Sequence, residues 1–330
     1  MRVEQISFTG IGRVEVTRAE VASSLRADQV LLATSFVGIC GSDLAVLTGH
    51  HPWTKPPVIT GHEVSGRVLQ VGPEVSRLAV EDHVVVNPLT TCGICPRCRQ
   101  GAVNQCESAA VRGFRLPGAA ATRVVITERE LHKVPDGSSS DLACLAEPLA
   151  AAWHAASRWD DLTEVAVIGA GNIGQLVVAS LRCRGAGRIT VVEPVARKRD
   201  LACQLGAHDA VAPDETAAEP SFTAIFDCVS SESTLDWAAR ATLAGGAIIA
   251  VGVPDGPLPI LAPRMQRFEI ALLGSGMYTP EELDTAVHLI SSGQADVAAL
   301  ISDVYPLDQA PEAYARAQQA DSIKVLVAMS

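Results

Sequence analysis

The hydrophobic rhythm of the chain changes once, near residue 140. Before that point, short β-branched runs (29–36, 66–71, 83–88 and 122–126) are separated by glycine and proline, a spacing that predicts an irregular all-β unit. The stretch 141–158 is rich in alanine and reads as a helix, with Asp141 as its N-cap. After it, strands and helices alternate: strand 164–168, helix 172–184 stopped by Gly185, strand 189–193, and helix 196–205 stopped by Gly206. Strand 224–229, helix 233–243 and strands 246–253 and 268–274 continue the series. Apolar strands in β-α-β order predict an α/β fold with a doubly wound parallel sheet. A helix over 280–291 leads to the segment 295–330, which ends in a strand over 324–328. That tail is short for a domain of its own and is expected to pack back on the first 140 residues.

The first turn of the alternating region reads Gly169-Ala170-Gly171-Asn172-Ile173-Gly174. A G-x-G-x-x-G pattern is weak alone, but here an apolar strand precedes it, a helix follows, and Glu193 closes the next strand. Gly169 permits the tight turn, Gly171 lets backbone approach a pyrophosphate at the helix N-terminus, and Gly174 allows helix to pack closely on strand. The Glu193 carboxylate suits the hydroxyls of an adenosine ribose and repels a 2′-phosphate, which favours NAD over NADP. Arg197, Lys198 and Arg199 follow closely and are the residues able to hold a phosphate instead.

Composition narrows the partners. With 48% hydrophobic and 19% charged residues the chain is an ordinary globular one. A net charge of −11, from 26 Lys+Arg against 37 Asp+Glu, opposes binding to nucleic acid or to an anionic membrane surface. No run approaches the roughly 18 apolar residues of a membrane-spanning helix. Met1-Arg2-Val3-Glu4-Gln5 leads into no apolar leader, so a cytoplasmic location with reduced thiols is expected.

The nine cysteines are an odd count, which argues against a closed disulfide framework. Cys92, Cys95, Cys98 and Cys106 fall in one loop with Gly93, Pro96 and Gly101, a spacing that lets four thiolates converge on a single tetrahedral ion. The run lacks the C-x3-C-P ending of a ferredoxin cluster, so zinc is preferred, in a closed structural site. Cys40, in Gly38-Ile39-Cys40-Gly41-Ser42-Asp43, and His62 and Glu63, in Gly61-His62-Glu63-Val64-Ser65-Gly66, are ligand types of an open, catalytic zinc site. Cys144, Cys183, Cys203 and Cys228 read as buried core thiols.

Together these segments resemble the zinc-dependent medium-chain dehydrogenases of the alcohol dehydrogenase superfamily, in the branch of the sorbitol, threonine and butanediol enzymes. The likeness rests on Gly38 to Asp43, on Gly61-His62-Glu63-x2-Gly66-x5-Gly72, on the cysteine loop, on Glu147-Pro148 and on the glycine turn. It implies a GroES-like catalytic domain over 1–148, with a structural zinc lobe at about 88–118. It further implies a Rossmann domain over 149–281 and a return of 282–330 to the catalytic domain. It implies two zinc ions per chain, NAD as cofactor with NADP less favoured, a small alcohol or ketone as substrate, and a homodimer or homotetramer.

Carried over by position, Cys40 and His62 are ligands of the catalytic zinc, Glu147 takes the place of a cysteine ligand, and Glu63 is an alternating or water-linked ligand. Asp43 would fix the tautomer of His62 from its far nitrogen. Ser42 would receive the substrate proton, Lys198 would help hold the ribose, and the backbone of Val251 and Val253 would meet the nicotinamide carboxamide. Two positions depart from the family. Ala45 stands where a histidine often ends the proton relay, leaving a ribose hydroxyl, water, His50 or His51. Met277-Tyr278 replaces the Arg-Tyr of polyol enzymes, which speaks against a sorbitol-like substrate. The expected reaction is hydride transfer between a secondary alcohol (a polyol, sugar derivative, diol, amino alcohol or aminocyclitol) and NAD(P); the competing readings are an NADPH-linked carbonyl reductase and a non-catalytic, zinc-stabilised nucleotide sensor.

Overall fold

The β-branched runs pair into one sheet centred on Gln29–Gly38. In the computed structural model, which describes all residues except 23, 217, 218, 255 and 330, the strands lie in the order Leu131–Lys133, His83–Val86, Glu63–Val71, Gln29–Gly38, Lys324–Ala328 and Ile301–Pro306. Arg123–Thr127 also pairs with Gln29–Gly38. The register sets Gly38 opposite Glu63 on one side and opposite Leu326 on the other, so residues far apart in sequence meet at one end of the sheet. Val30, Leu32, Val64, Val68, Val84 and Val327 are fully buried beneath it, each worth about 1.5–3 kcal/mol of apolar burial.

A hairpin of Arg2–Gly10 and Arg13–Glu20, joined by Val58–Ile59, forms a second small sheet. Leu89–Thr90 pairs with Ala110–Val111 and closes the base of the cysteine loop. The helix Ala310–Ala317, with Pro311 in its first turn, buries Ala313 and Tyr314 in the same core.

The alternating region builds a parallel sheet in the order Asp209–Val211, Arg188–Val192, Glu164–Ile168, Phe222–Asp227, Thr242–Ala250 and Ala271–Gly274. Strand order reverses at Glu164–Ile168, whose neighbours continue in opposite directions. In such sheets the crevice at the C-terminal strand ends takes the ligand, and the glycine turn sits there. The chain falls into two units: Met1–Glu147 with Thr279–Gly293 and Ile301–Ser330, and Pro148–Tyr278 with Gln294–Leu300. Among the described residues no helix is long and apolar enough to cross a membrane.

Several elements differ from expectation. The helix expected over 141–158 is two, Ser140–Ala143 and Ala146–Ala156, with Ser139 rather than Asp141 at the first N-cap. Pro148 explains the break: in one continuous helix it would lose the bond to the carbonyl of Cys144, whereas in the first turn of a new helix its missing N–H is harmless. Phe268 ends the helix Ala262–Phe268 instead of starting a strand, and Glu269, at φ 52°, turns the chain out of it. Of the four cysteines expected in the core, only Cys144 is buried; Cys183 and Cys228 are half-buried and Cys203 is exposed.

Candidate functional site

Cys92, Cys95, Cys98 and Cys106 bring four sulfurs within 4.8 Å of one another. Gly93 and Gly101, at φ 72° and 80°, supply the turns that wrap the loop around them. Cys92 and Cys98 sulfurs lie 3.9 Å apart and those of Cys92 and Cys106 3.6 Å, against about 3.8 Å for two thiolates on one tetrahedral zinc with Zn–S near 2.3 Å. The donors therefore fit a single ion. Backbone N–H groups of Ile94 and Cys95 pull the Cys92 thiol down to about 6, whereas desolvation and the neighbouring thiol of Cys95 push Cys98 up to about 11.

A second group forms where strand Glu63–Val71 meets the helix Gly41–Leu47. Cys40 occupies the N-cap of that helix, and donor atoms of Cys40, His62 and Glu63 lie within 4.8 Å of one another. Asp43 is buried behind them. Its Oδ2 accepts the Cys40 amide at 3.0 Å, its Oδ1 accepts the Thr60 hydroxyl at 2.8 Å, and the same Oδ1 lies 3.5 Å from His62 Nδ1. Burial pushes the Asp43 pKa up, but His62, the Cys40 amide and Thr60 outweigh it and hold the carboxyl below its usual range. Burial likewise pulls His62 down, yet Asp43 and Cys40 raise its pKa well above the ordinary histidine value. The pocket thus favours a positive charge, which is the electrostatic setting a divalent cation needs.

Glu63 is held from the opposite side by Lys324. The ammonium lies 2.8 and 2.6 Å from the two carboxylate oxygens and donates to the carbonyl of Ile39 at 3.0 Å. Gly38 makes room for this carboxylate: a Cβ there would stand 2.1 Å from Glu63 Oε2. Glu147, buried in the first turn of Ala146–Ala156, is not among the donor atoms that fall within 4.8 Å of one another. Ser42 is half-buried on the helix that Cys40 caps. Phe114 packs its ring 5.0 Å from His62 and stacks at 4.8 Å on His51.

In the other unit, Gly169 turns at φ 84° and Gly171 caps the helix Asn172–Cys183. A Cβ on Gly174 would meet the carbonyl of Gly169 at 1.8 Å, so only glycine lets this helix approach its strand. Gly171 faces open space, with nothing within 4 Å of a built Cβ. Ile173 and Asn172 lie in the first helical turn, and the Asn172 Oδ1 is buried without a hydrogen-bond partner. Glu193 accepts the Ala170 amide at 2.7 Å and the Val195 amide at 2.9 Å, one on each oxygen. A carboxylate has about four acceptor positions, so two remain for ribose hydroxyls. Lys198 is in the helix Ala196–Gln204, and its carbonyl accepts from Gln175. Val251 follows the end of strand Thr242–Ala250, and Val253 is 66% exposed.

Sequence reasoning missed Lys324, Thr60, Tyr314 and Asp227. Asp227 is fully buried at a strand end and organises the adjoining loop, accepting the amides of Val229 and Ser230 and the hydroxyl of Thr234. A lone lysine in the apolar strand Lys324–Ala328 was the available signal for the first.

Residues 26–136 match the family described as alcohol dehydrogenase GroES-like domain, and residues 172–292 that described as zinc-binding dehydrogenase. The 2-dehydro-3-deoxy-L-galactonate 5-dehydrogenase of Pseudoalteromonas atlantica is 32% identical over 301 residues, covering 88% of each chain. A zinc-binding dehydrogenase from Sinorhizobium meliloti, solved with NADP bound, superposes with a TM-score of 0.93 at 26% identity over 99% of both chains. The L-idonate 5-dehydrogenase of Escherichia coli gives 0.92 at 26% identity, over 99% of this chain and 98% of that one.

Proposed function

Because the chain belongs to the zinc-dependent medium-chain dehydrogenases of the alcohol dehydrogenase superfamily and transfers hydride between an alcohol and NAD(P), we propose a division of labour among its residues. Cys40 and His62 hold the catalytic zinc, with Glu147 as third ligand and Glu63 as an exchangeable one; Cys92, Cys95, Cys98 and Cys106 hold a structural zinc. The carrying observation is the buried convergence of Cys40, His62 and Glu63 around an electrostatic environment that favours a cation.

Zinc bound there supplies a Lewis acid that makes an alcohol acidic near neutral pH, and the dinucleotide supplies the hydride acceptor. The chain's own groups do the rest. Asp43 orients the His62 ring through Nδ1, leaving the other nitrogen for the metal. Ser42 receives the carbinol proton. With Ala45 unable to pass it on, His51 is the favoured next acceptor among the candidates: it is buried and stacks on Phe114, which packs against His62, whereas His50 is exposed, and burial keeps the His51 pKa below the ordinary value. Lys324 grips both oxygens of Glu63 and holds the side chain drawn back until exchange calls it forward.

The Rossmann turn Gly169 to Gly174 receives the pyrophosphate, Glu193 and Lys198 the ribose, and the backbone of Val251 and Val253 the carboxamide. Glu193 favours NAD over NADP. Residues 1–148 with 282–330 are assigned to the catalytic domain and 149–281 to the dinucleotide domain. The substrate proposed is a secondary alcohol of the polyol or sugar-acid class, supported by the sugar-acid enzymes among the relatives. A cytoplasmic homodimer or homotetramer is the proposed form, supported by the sheet's outer strand Ala271–Gly274, which exposes Leu272.

Metal analysis combined with an alcohol and ketone panel under NAD and NADP tests this reading. Near two zinc ions per chain and NAD-linked oxidation of a hydroxy acid or polyol are expected. Zinc-replete protein that binds dinucleotide but turns over no member of the panel would instead be a sensor.

A further inference from the structure

Behind the Cys40 and His62 pair, three side chains form a line of hydroxyls and a carboxylate with only one possible direction. Thr60 Oγ1 is 2.8 Å from Asp43 Oδ1, and the Tyr314 hydroxyl is 3.3 Å from Thr60 Oγ1. A threonine hydroxyl has a single proton. Asp43 already accepts the Cys40 amide and faces the imidazole, so it accepts from Thr60 and gives nothing back. Thr60 must then accept from Tyr314. Burial, with Asp43 nearby, raises the Tyr314 pKa well above its ordinary value and keeps the phenol a donor.

We propose that Thr60 and Tyr314 are positioning residues for His62, acting through Asp43 to fix which nitrogen of the imidazole is offered to the metal. The oxygen that receives the Thr60 hydroxyl is the same Oδ1 that faces His62 Nδ1. Thr60 therefore sets the rotation of the carboxylate about its own axis. At 3.5 Å the Asp43–His62 contact is long, so a small rotation decides whether Nδ1–H points at Asp43 and leaves Nε2 free.

The parts are rigidly mounted. Thr60 is fully buried between strand Val58–Ile59 and Gly61, whose φ of 100° and close approach to Ala120 fix the turn into His62. Tyr314 is wedged edge-on against Phe8 at 5.1 Å, on the helix Ala310–Ala317. Packing alone would be served as well by valine and phenylalanine, which fill the same volumes. Two buried hydroxyls in their place must be hydrogen-bonded to be tolerated, and the bonds they make end on the metal ligand's partner.

The proposal rests on the reading of Cys40 and His62 as zinc ligands, and the test separates the two. Full-length protein is stripped of metal and titrated with cobalt(II) and with zinc against a competing chelator, in wild type, Thr60→Val, Thr60→Ser, Tyr314→Phe and the Thr60→Val/Tyr314→Phe double variant. The four-cysteine site is the internal control and is expected to be unchanged throughout. Thr60→Val should weaken the Cys40/His62 site about 10-fold or more and shift its cobalt absorption, while Thr60→Ser should stay near wild type. Tyr314→Phe should weaken it by less, and add nothing in the Thr60→Val background, because its partner is already gone. Wild-type affinity in Thr60→Val, or a serine variant as weak as the valine one, overturns the proposal; so does an additive double variant. Failure of the wild-type protein to bind a second metal ion would instead overturn the ligand assignment.

Discussion

The Lys324 ammonium closes on Glu63 from across the sheet, with 2.8 and 2.6 Å to its two oxygens, and both side chains are 1% exposed. The two residues are 261 positions apart; the pairing of Lys324–Ala328 with Gln29–Gly38, itself paired with Glu63–Val71, brings them together.

Breaking this pair on one side leaves a buried charge with no partner, which costs about 3–5 kcal/mol. Lys324→Met is expected to lower the unfolding free energy in urea by that amount, and Lys324→Met with Glu63→Gln to recover most of it. A single variant as stable as wild type would show that water or relaxation already compensates the carboxylate.

Gly38→Ala probes the same carboxylate from the other direction. The added methyl lands 2.1 Å from Glu63 Oε2 and 3.1 Å from its Cβ, so the side chain must move. Overpacking of this kind costs about 1–3 kcal/mol, and the displaced Glu63 should also depress turnover. Thermal melts and kcat on the same preparation read the two effects; a normal melt with normal turnover would mean the site yields without strain.

The two glycines of the dinucleotide turn should behave oppositely. Gly174→Ala forces a methyl to 1.8 Å from the carbonyl of Gly169 and is expected to destabilise the fold, seen as a lowered melting temperature without any ligand. Gly171→Ala meets nothing within 4 Å, so the melt should be unchanged while NAD binding weakens, because the methyl protrudes where a pyrophosphate must approach. Calorimetric titration with NAD separates the cases. Equal affinity in Gly171→Ala would remove that residue from the cofactor site.

Glu193 holds the Ala170 and Val195 amides, and its proposed second duty is to offer charge to a ribose. Glu193→Gln keeps the shape and removes the charge. A hydrogen bond to a charged group is worth about 1.5–3 kcal/mol, so the NADP-to-NAD ratio of kcat/KM should rise about 10-fold or more, with KM for both cofactors increased as the loop loosens. An unchanged ratio would show that the ribose is not read by this carboxylate.

What could be read in the sequence was whatever depends on local pattern. The G-x-G-x-x-G turn, the cysteine loop and the strand–helix alternation are set by spacing, and strand Glu164–Ile168 and helix Pro280–Ser291 stand where the periodicity puts them. What depended on pairing across the chain was not legible. Lys324 lies in a strand expected from its apolar run, but its partner is chosen by sheet order. Thr60 and Tyr314 are ordinary core residues until the C-terminal helix sets one against the other. The strand Ile301–Pro306 went unseen because its residues are all half-buried or exposed, with none fully buried to mark a hydrophobic face. Helix Ala310–Ala317 was hidden by a short span and an early proline.

The cysteine loop makes a prediction about pH. In metal-free protein the amides of Ile94 and Cys95 stabilise the Cys92 thiolate, lowering its pKa to about 6, while Cys98 is held up to about 11. The thiolate is the reactive form. Alkylation by iodoacetamide after chelation should therefore strike Cys92 first, with a rate that rises as pH passes upward through about 6 and levels off above it; Cys98 should stay unreactive at neutral pH. Zinc binding must expel the remaining protons, so protons compete with the metal, and the same loop should release zinc as pH falls through that range. Peptide mass mapping locates the label, and added zinc should abolish it. A first label on Cys98, or a Cys92 rate that climbs only near the ordinary thiol value, would show that the backbone amides do not hold the Cys92 thiolate.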